Sequence, residues 1–239
     1  MAWIRPGQVG YLGPDLGVDL HATSIAVLTV GLDAPFALHT PDHGTITARS
    51  AYVPARIAHR VVAPEGRILL LFLDAADLPG GRVAAAMQRQ VGPYGLDHRL
   101  ERELLAACGR SGAPDLLGAL AAPALPGTPD RRIGRLVESI RADPGQVLRA
   151  EQTAARLGLS TSHFLHLFAE HTGTTFRRYQ QWARMLHVVR GLVAGHDLTR
   201  CAADAGFASP SHLSDTFRRT LGTSATAVLN SRVRFDLDG

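Results

Sequence analysis

Between residues 18 and 75 the apolar positions come in short runs with turn signals between them. Ile25, Val27 and Thr29 alternate with Ala26 and Leu28, and Thr45-Ile46-Thr47, Ala51-Tyr52-Val53 and Arg67–Leu73 follow. Pro35, Pro41-Asp42-His43-Gly44, Pro54 and Pro64-Glu65-Gly66 separate them. Short β-favouring runs punctuated by Pro and Gly predict strands joined by turns, and so a small β-sandwich or open barrel. From residue 80 the period changes. Val83, Ala86, Met87 and Gln90 recur at helical spacing, as do Leu96, Leu100, Leu104 and Leu105, then Leu116, Leu117 and Leu120. Two or three helices are predicted over 80–121. The apolar faces of Arg82–Gln90 and Leu96–Ala107 exceed what a small β domain covers, so they are expected to form a dimer interface. Pro123, Pro126 and Pro129 cannot lie inside a helix, which places a linker at 122–129. Domains of 1–127 and 128–239 follow.

The second half is helical throughout. Ile133, Leu136, Val137 and Ile140 share one face of a helix predicted from about Asp130 to Ala142, ended by Asp143-Pro144-Gly145. Residues 147–175 and 196–224 then repeat one pattern. The first copy reads Ala154-Ala155-Arg156-Leu157-Gly158-Leu159-Ser160, then Ser162-His163-Phe164, Phe168 and Gly173-Thr174. The second reads Ala202-Ala203-Asp204-Ala205-Gly206-Phe207-Ala208, then Ser211-His212-Leu213, Phe217 and Gly222-Thr223. Gly158 and Gly206 fall where a helix must stop and the chain reverse, a position that favours positive φ. Ser160 and Ser209 can cap the helix that follows. Helix-turn-helix units are therefore predicted at about 150–171 and 198–220, joined by one long helix from Phe176 to Ala194 with Trp182, Met185, Leu186, Val189 and Leu192 inward. A helix of that length can hold two recognition helices one turn of DNA apart, roughly 34 Å.

Charge sharpens this. Residues 1–129 hold 10 Arg against 11 acidic residues, whereas residues 130–239 hold 15 Arg against 10, and the chain contains no Lys. The positive surplus sits with the repeat, as a polyanion partner requires. No apolar window of 18 residues occurs, and Met1–Pro6 lacks the charged start and apolar run of a signal peptide; a cytoplasmic protein without membrane contact is expected. Cys108 and Cys201 are read as reduced thiols, Cys201 at an inward helical position and Cys108 open between core and reactive roles.

Residues 130–229 closely resemble the DNA-binding domain of the AraC/XylS family of regulators. The residues that carry the resemblance are Ala154-Ala155, Leu157-Gly158-Leu159-Ser160, His163-Phe164 and Phe168 in the first unit, and Ala202-Ala203, Gly206-Phe207, Ser209, Phe217-Arg218-Arg219 and Leu221-Gly222-Thr223-Ser224 in the second. The resemblance implies an α+β chain: a small N-terminal β-sandwich or cupin-like domain with helices, then an all-α domain with two helix-turn-helix units. It implies a transcription regulator and not an enzyme, with double-stranded DNA, a small-molecule effector and RNA polymerase as partners and a homodimer as assembly. The outward faces of the second helices supply the DNA-binding candidates: Ser162, Leu165 and His166 in the first unit, and Ser211, Ser214, Asp215, Arg218, Arg219 and Thr223 in the second. Leu165 suits a thymine methyl and His166 a purine edge. Family members usually carry a basic residue where His166 and Asp215 stand here.

The N-terminal part resembles a shortened cupin-type sensor. Tyr52–His59 matches the second cupin motif, with Arg56 in place of its usual Gly, and the first motif's histidine pair and Glu are absent. His39, His43 and His59, with His21, are the metal-ligand candidates; no recognised ligand spacing accompanies them, so no metal or other cofactor is expected. A small cupin enzyme with a helical tail and a helical interaction module that has lost DNA contact, suggested by Asp215, stand as the alternatives.

Overall fold

The computed structural model describes residues 1–5, 8–74, 80–109, 116, 120, 130–230 and 233–237. The linker at 122–129 and most of the helix expected around Leu116–Leu120 lie outside the described residues. The N-terminal part runs β1 (Ala2–Arg5), β2 (Gln8–Pro14), β3 (Ala26–Gly31), β4 (Phe36–Thr40), β5 (Gly44–Ala48), β6 (Ser50–Val53), β7 (Arg60–Val62), β8 (Arg67–Leu73), α1 (Gly80–Ala85), β9 (Met87–Val91), β10 (Tyr94–His98) and α2 (Glu101–Cys108). The C-terminal part runs α3 (Arg131–Ala142), α4 (Ala150–Arg156), α5 (Thr161–Thr172), α6 (Phe176–Val193), α7 (Leu198–Asp204), α8 (Pro210–Leu221), α9 (Ala225–Asn230) and β11 (Phe235–Asp236). The β-rich first part and helical second part match the α+β reading.

β8 sets the N-terminal architecture. After Arg67 it is apolar at every position, so neither face can meet water and both must be covered. It lies inside a sheet ordered β11-β1-β2-β8-β3-β6-β10-β9. Leu69, Leu71 and Leu73, with Leu28 and Val30 of β3, pack under Val83 of α1 and Leu104 and Cys108 of α2. On the other face Ile68 packs with Phe36, Leu38, Ile46 and Val61 of a second sheet, β5-β4-β7. Leu70 and Phe72 pack against the same cluster, Phe72 also meets Trp182 of α6, and both line a cavity between the sheet and α6.

Two expectations are corrected here. Residues 82–90 are not one helix: α1 ends at Ala85, and β9 pairs with β10, Val91 opposite Tyr94 and Met87 opposite His98. Gly92, at φ 53, turns this hairpin, and Pro93 cannot continue a helix from it. The helical spacing of Val83, Ala86, Met87 and Gln90 was coincidental. The apolar faces expected to meet a second copy are not carried on two helices: Leu96 lies in β10 and Leu104 in α2, and both are buried inside this part. The sheet also starts well before residue 18, since β1 and β2 form a hairpin in which the Trp3 ring occupies the space a side chain at Gly10 would need.

α6 organises the second part. Its first half, Phe176, Tyr179 and Ala183, joins Ile133 and Ile140 of α3 and Phe164 and Phe168 of α5. Its second half, Met185 and Val188, joins Cys201 and Ala202 of α7 and Leu213 and Phe217 of α8. One helix thus supplies the core of both helix-turn-helix units.

The two parts are joined by more than the chain. Tyr179 donates its hydroxyl to Asp74 Oδ2 (2.7 Å) and accepts from Arg141 Nε (2.9 Å), while Arg141 Nη2 pairs with the same carboxylate oxygen (2.6 Å). Burial and the Asp74 charge push the Tyr179 hydroxyl pKa far above its ordinary value, so it stays a donor. Phe72 stacks on Trp182 with ring centroids 5.2 Å apart. The chain end returns to the first sheet, where β11 lies parallel to β1 and Asp236 pairs with Arg5.

Asp74 is thus the hub of a largely buried polar junction. Tyr179→Phe leaves Asp74 paired with Arg141 and is expected to cost about 1–2 kcal/mol. Asp74→Ala strands both partners and is expected to cost about 2–4 kcal/mol. Urea unfolding followed by tryptophan fluorescence measures both; an Asp74→Ala chain as stable as the parent would show that the junction contributes nothing.

Candidate functional site

The repeat in sequence is a repeat in geometry. Gly158 and Gly206 have φ of 68° and 69°, and Gly173 and Gly222, which end α5 and α8, have φ of 67° and 68°. Ser160 Oγ accepts from the His163 N–H (3.3 Å) at the start of α5, and Ser209 Oγ from the His212 N–H (3.1 Å) at the start of α8. Each cap satisfies a backbone donor that the first turn leaves open. The second turn is one residue longer, through Ala208, and Pro210 then opens α8.

These caps fix which faces look outward. On α5, Ser162, Leu165 and His166 are exposed, and Leu165, at 38% exposure, is one of few large apolar side chains left in water. On α8, Ser211, Asp215, Arg218 and Arg219 are exposed. Ser214 is half-buried, and its hydroxyl is committed to the Pro210 carbonyl (2.9 Å). Thr223 is set apart from this face: it is half-buried and lines a cavity between the two parts.

A basic cluster that the sequence reading did not single out lies beside α8. Arg178, near the start of α6, has its pKa lowered by burial and then by the like charges of Arg56, Arg219 and Arg177. Guanidiniums from the β-rich part, the long helix and the second recognition helix therefore share one neighbourhood, where an anion relieves their repulsion. The Arg177-Arg178 doublet was visible in sequence; the arrival of Arg56 was not. Arg56 stands at φ 71°, a left-handed backbone that glycine normally takes. This explains why glycine is usual there in the motif it resembles.

The interdomain cavity encloses ≈ 130 Å³. Val9, Leu70 and Phe72 line it from the sheet, and Trp182, Met185 and Phe217 from the helices. At one end His21 and His59 form an antiparallel backbone bridge with their rings 4.7 Å apart. His21 Nδ1 lies 2.8 Å from the Asp19 carbonyl and His59 Nδ1 3.0 Å from the Ile57 carbonyl, so each Nδ1 carries the proton. Burial lowers the His21 pKa; burial and then the neighbouring His21 lower that of His59 to about 4.

The segment 19–24 that carries His21 also touches both helix-turn-helix units. The Asp19 N–H donates to the Gly222 carbonyl (2.9 Å) at the end of α8, and Thr174 Oγ1, just past α5, donates to the Ser24 carbonyl (2.7 Å). Gly173-Thr174 and Gly222-Thr223 are equivalent corners of the repeat. A side chain at Gly222 would collide with the Asp19 carbonyl and the His21 ring.

Of the four candidate metal ligands only His21 and His59 come together. His39 Nδ1 is paired with Thr45 Oγ1 (2.8 Å), and His43 packs edge-on against Tyr94. Among the described residues no group of three or more His, Cys, Asp or Glu gathers around one point, and no helix is long and apolar enough to cross a membrane. Cys108 and Cys201 are both buried free thiols, with Cys108 pushed up to about 11 by burial.

Residues 153–231 match the family model described as a helix-turn-helix domain. No curated protein matches the chain. Among solved structures, an apo form of ToxT from Vibrio cholerae aligns over 94% of this chain and 97% of its own, with 11% identity and a TM-score of 0.60. Wild-type ToxT with a bound unsaturated fatty acid aligns over 94% and 95%, with 11% identity and a TM-score of 0.60. A third ToxT structure, bound to a methylnaphthalenyl butenoic acid, aligns over 94% and 98%, with 10% identity and a TM-score of 0.54. At these identities the likeness is one of fold, and it extends through both parts of the chain.

The buried histidines predict an acid response. Their folded-state pKa values lie below the ordinary 6.5, so the unfolded chain binds more protons between pH 6.5 and about 4. Their contribution is complete above pH 6.5 and is lost as pH falls through that window, His59 accounting for about 2–3 kcal/mol. His59→Gln should flatten the stability profile between pH 6.5 and 4, measured by urea unfolding across that range; an unchanged slope contradicts the neutral buried assignment.

Proposed function

We propose, from the premise that residues 153–231 are an AraC-type helix-turn-helix domain, that this chain is a sequence-specific DNA-binding transcription regulator of the AraC/XylS type, controlled by an effector in the interdomain cavity. The observation that carries the reading is the pair of capped recognition helices held by the single 18-residue helix α6, each with its polar face outward. Double-stranded DNA is the partner such spacing fits. Residues 1–127 act as the sensor and residues 128–239 as the DNA-binding part. Homodimerisation and contact with RNA polymerase belong to the same reading through the family resemblance. No catalytic step, metal or other cofactor enters it.

The two units divide the work. α5 reads sequence: Leu165 meets a thymine methyl, His166 a purine edge, and Ser162 a nearby base or phosphate. α8 positions the protein through Arg218, Arg219 and Ser211 on phosphates, with Arg178 and Arg56 extending the basic surface. Asp215, exposed between them, opposes phosphate and accepts only from an amino group such as that of cytosine. ToxT, which shares this fold, is bound to an unsaturated fatty acid in one structure and to a methylnaphthalenyl butenoic acid in another; the apolar cavity between the parts is the matching candidate here, and segment 19–24 supplies the link from it to both units.

The test is a salt-dependent mobility shift on DNA upstream of the chain's own coding region and on randomised operators. His166→Ala should relax base preference at one or two positions at a cost of about 1–3 kcal/mol. Arg218→Ala should weaken binding to all sequences alike and reduce the salt slope by about one. Asp215→Arg should raise affinity for every DNA, most at low salt, or, where Asp215 reads cytosine, remove preference at one base pair. If none of the three alters binding, the chain is not a DNA-reading regulator.

A further inference from the structure

The cavity's polar groups have a consistent character that bears on what fills it. Among the described residues that line it there is no arginine, and the chain contains no lysine at all. The lining acid, Asp15, accepts from the N–H groups of Gly17 (2.8 Å) and Ala63 (2.9 Å) on its two oxygens, which leaves it no donor committed to the cavity. His21 and His59 spend their Nδ1 protons on backbone carbonyls, which leaves each Nε2 a lone-pair acceptor. Thr23 Oγ1 and the Trp182 indole N–H belong to lining residues only 1% and 3% exposed, and both lack a hydrogen-bond partner. Unpaired buried polar groups of this kind are uncommon and call for a ligand or a water.

Resting on the effector reading above, we infer that the cavity takes a small uncharged apolar molecule bearing a hydroxyl group, an alcohol or phenol, and discriminates against a carboxylate. A hydroxyl donates to a histidine Nε2 and accepts from the Trp182 N–H or the Thr23 hydroxyl, so one group answers both kinds of vacancy. A carboxylate only accepts. It would face two imidazole lone pairs and the Asp15 carboxyl, with no arginine or lysine among the described lining residues to offset its desolvation. The volume sets the size: a dry cavity of roughly 150 Å³ holds a single benzene ring, so one ring or a chain of about eight carbons fits here.

Trp3 and Trp182 are the only tryptophans, and both line the cavity, so intrinsic fluorescence of the full chain reports its filling. Octan-1-ol and octanoate, matched in chain length, are titrated at pH 7.5, where octanoate is ionised. Octan-1-ol should give a saturable change, and octanoate should bind at least tenfold more weakly. Leu186, a half-buried lining residue on α6, offers a place for a cation; Leu186→Lys should raise octanoate affinity at least tenfold. The wild-type pair decides even if that variant fails to fold. Octanoate binding as tightly as octan-1-ol overturns the ligand class and leaves the cavity as an effector site. Failure of both compounds to bind overturns the class and the effector site together.

Discussion

A strand with no polar face dictates the rest of this molecule. Ile68 to Leu73 is apolar throughout, so β8 can exist only between two layers. One layer is α1 and α2. The other is shared: the small β5-β4-β7 sheet packs on the Ile68 face, and Trp182 of α6 meets Phe72. α6 therefore has three obligations, to the core of the first unit, to the core of the second, and to the sheet. A helix bound on three sides fixes the relation between the units and ties both to the β-rich part. The cover over the sheet is incomplete, and the gap is the cavity. A binding site between the parts is thus a consequence of how β8 is buried.

The polar contacts around that gap give it leverage. Asp74, Tyr179 and Arg141 form a clamp at one edge, through the start of α6. Segment 19–24 forms the other, reaching the corner after α5 through Ser24 and the end of α8 through Asp19. Its own position is set by the His21–His59 bridge and by the Thr23 carbonyl, which accepts from the Arg56 N–H. The segment that lends His21 and Thr23 to the cavity lining thus holds, through Asp19 and Ser24, equivalent corners of both helix-turn-helix units. On the proposed function, an occupant that binds one arrangement of this segment more tightly than another would change DNA affinity, and by thermodynamic reciprocity DNA would change its affinity equally.

The helical half was legible because its signals are local. Glycine at positive φ, serine caps and apolar residues three and four apart are read from neighbours in the chain, and they located both units and the outward faces of α5 and α8. The β half was legible only where strands are uninterrupted. β2 contains Gly10 and Gly13 and ends at Pro14, so it reads as a loop; its place in the sheet depends on Trp3 and on β8, residues away in sequence. The 87–98 hairpin was mistaken for helix because four residues happened to fit a 3.6 period while the Gly92-Pro93 turn signal was passed over. The cavity, and Thr223's place in it, lay beyond sequence patterns altogether. Its walls come from β1, β2, β8, α6 and α8, and the His21–His59 pair spans a long stretch of chain.

Segment 19–24 joins the β-rich part to both helix-turn-helix units although it lies off their outward faces. Amide hydrogen exchange of the full chain, with and without saturating operator DNA, reads that connection. DNA is expected to change the protection of the Asp19 amide and its neighbours through the Gly222 and Thr174 contacts, and Gly222→Ala, which forces that contact apart, to remove most of the change. Exchange in 19–24 that is identical with and without DNA would contradict it.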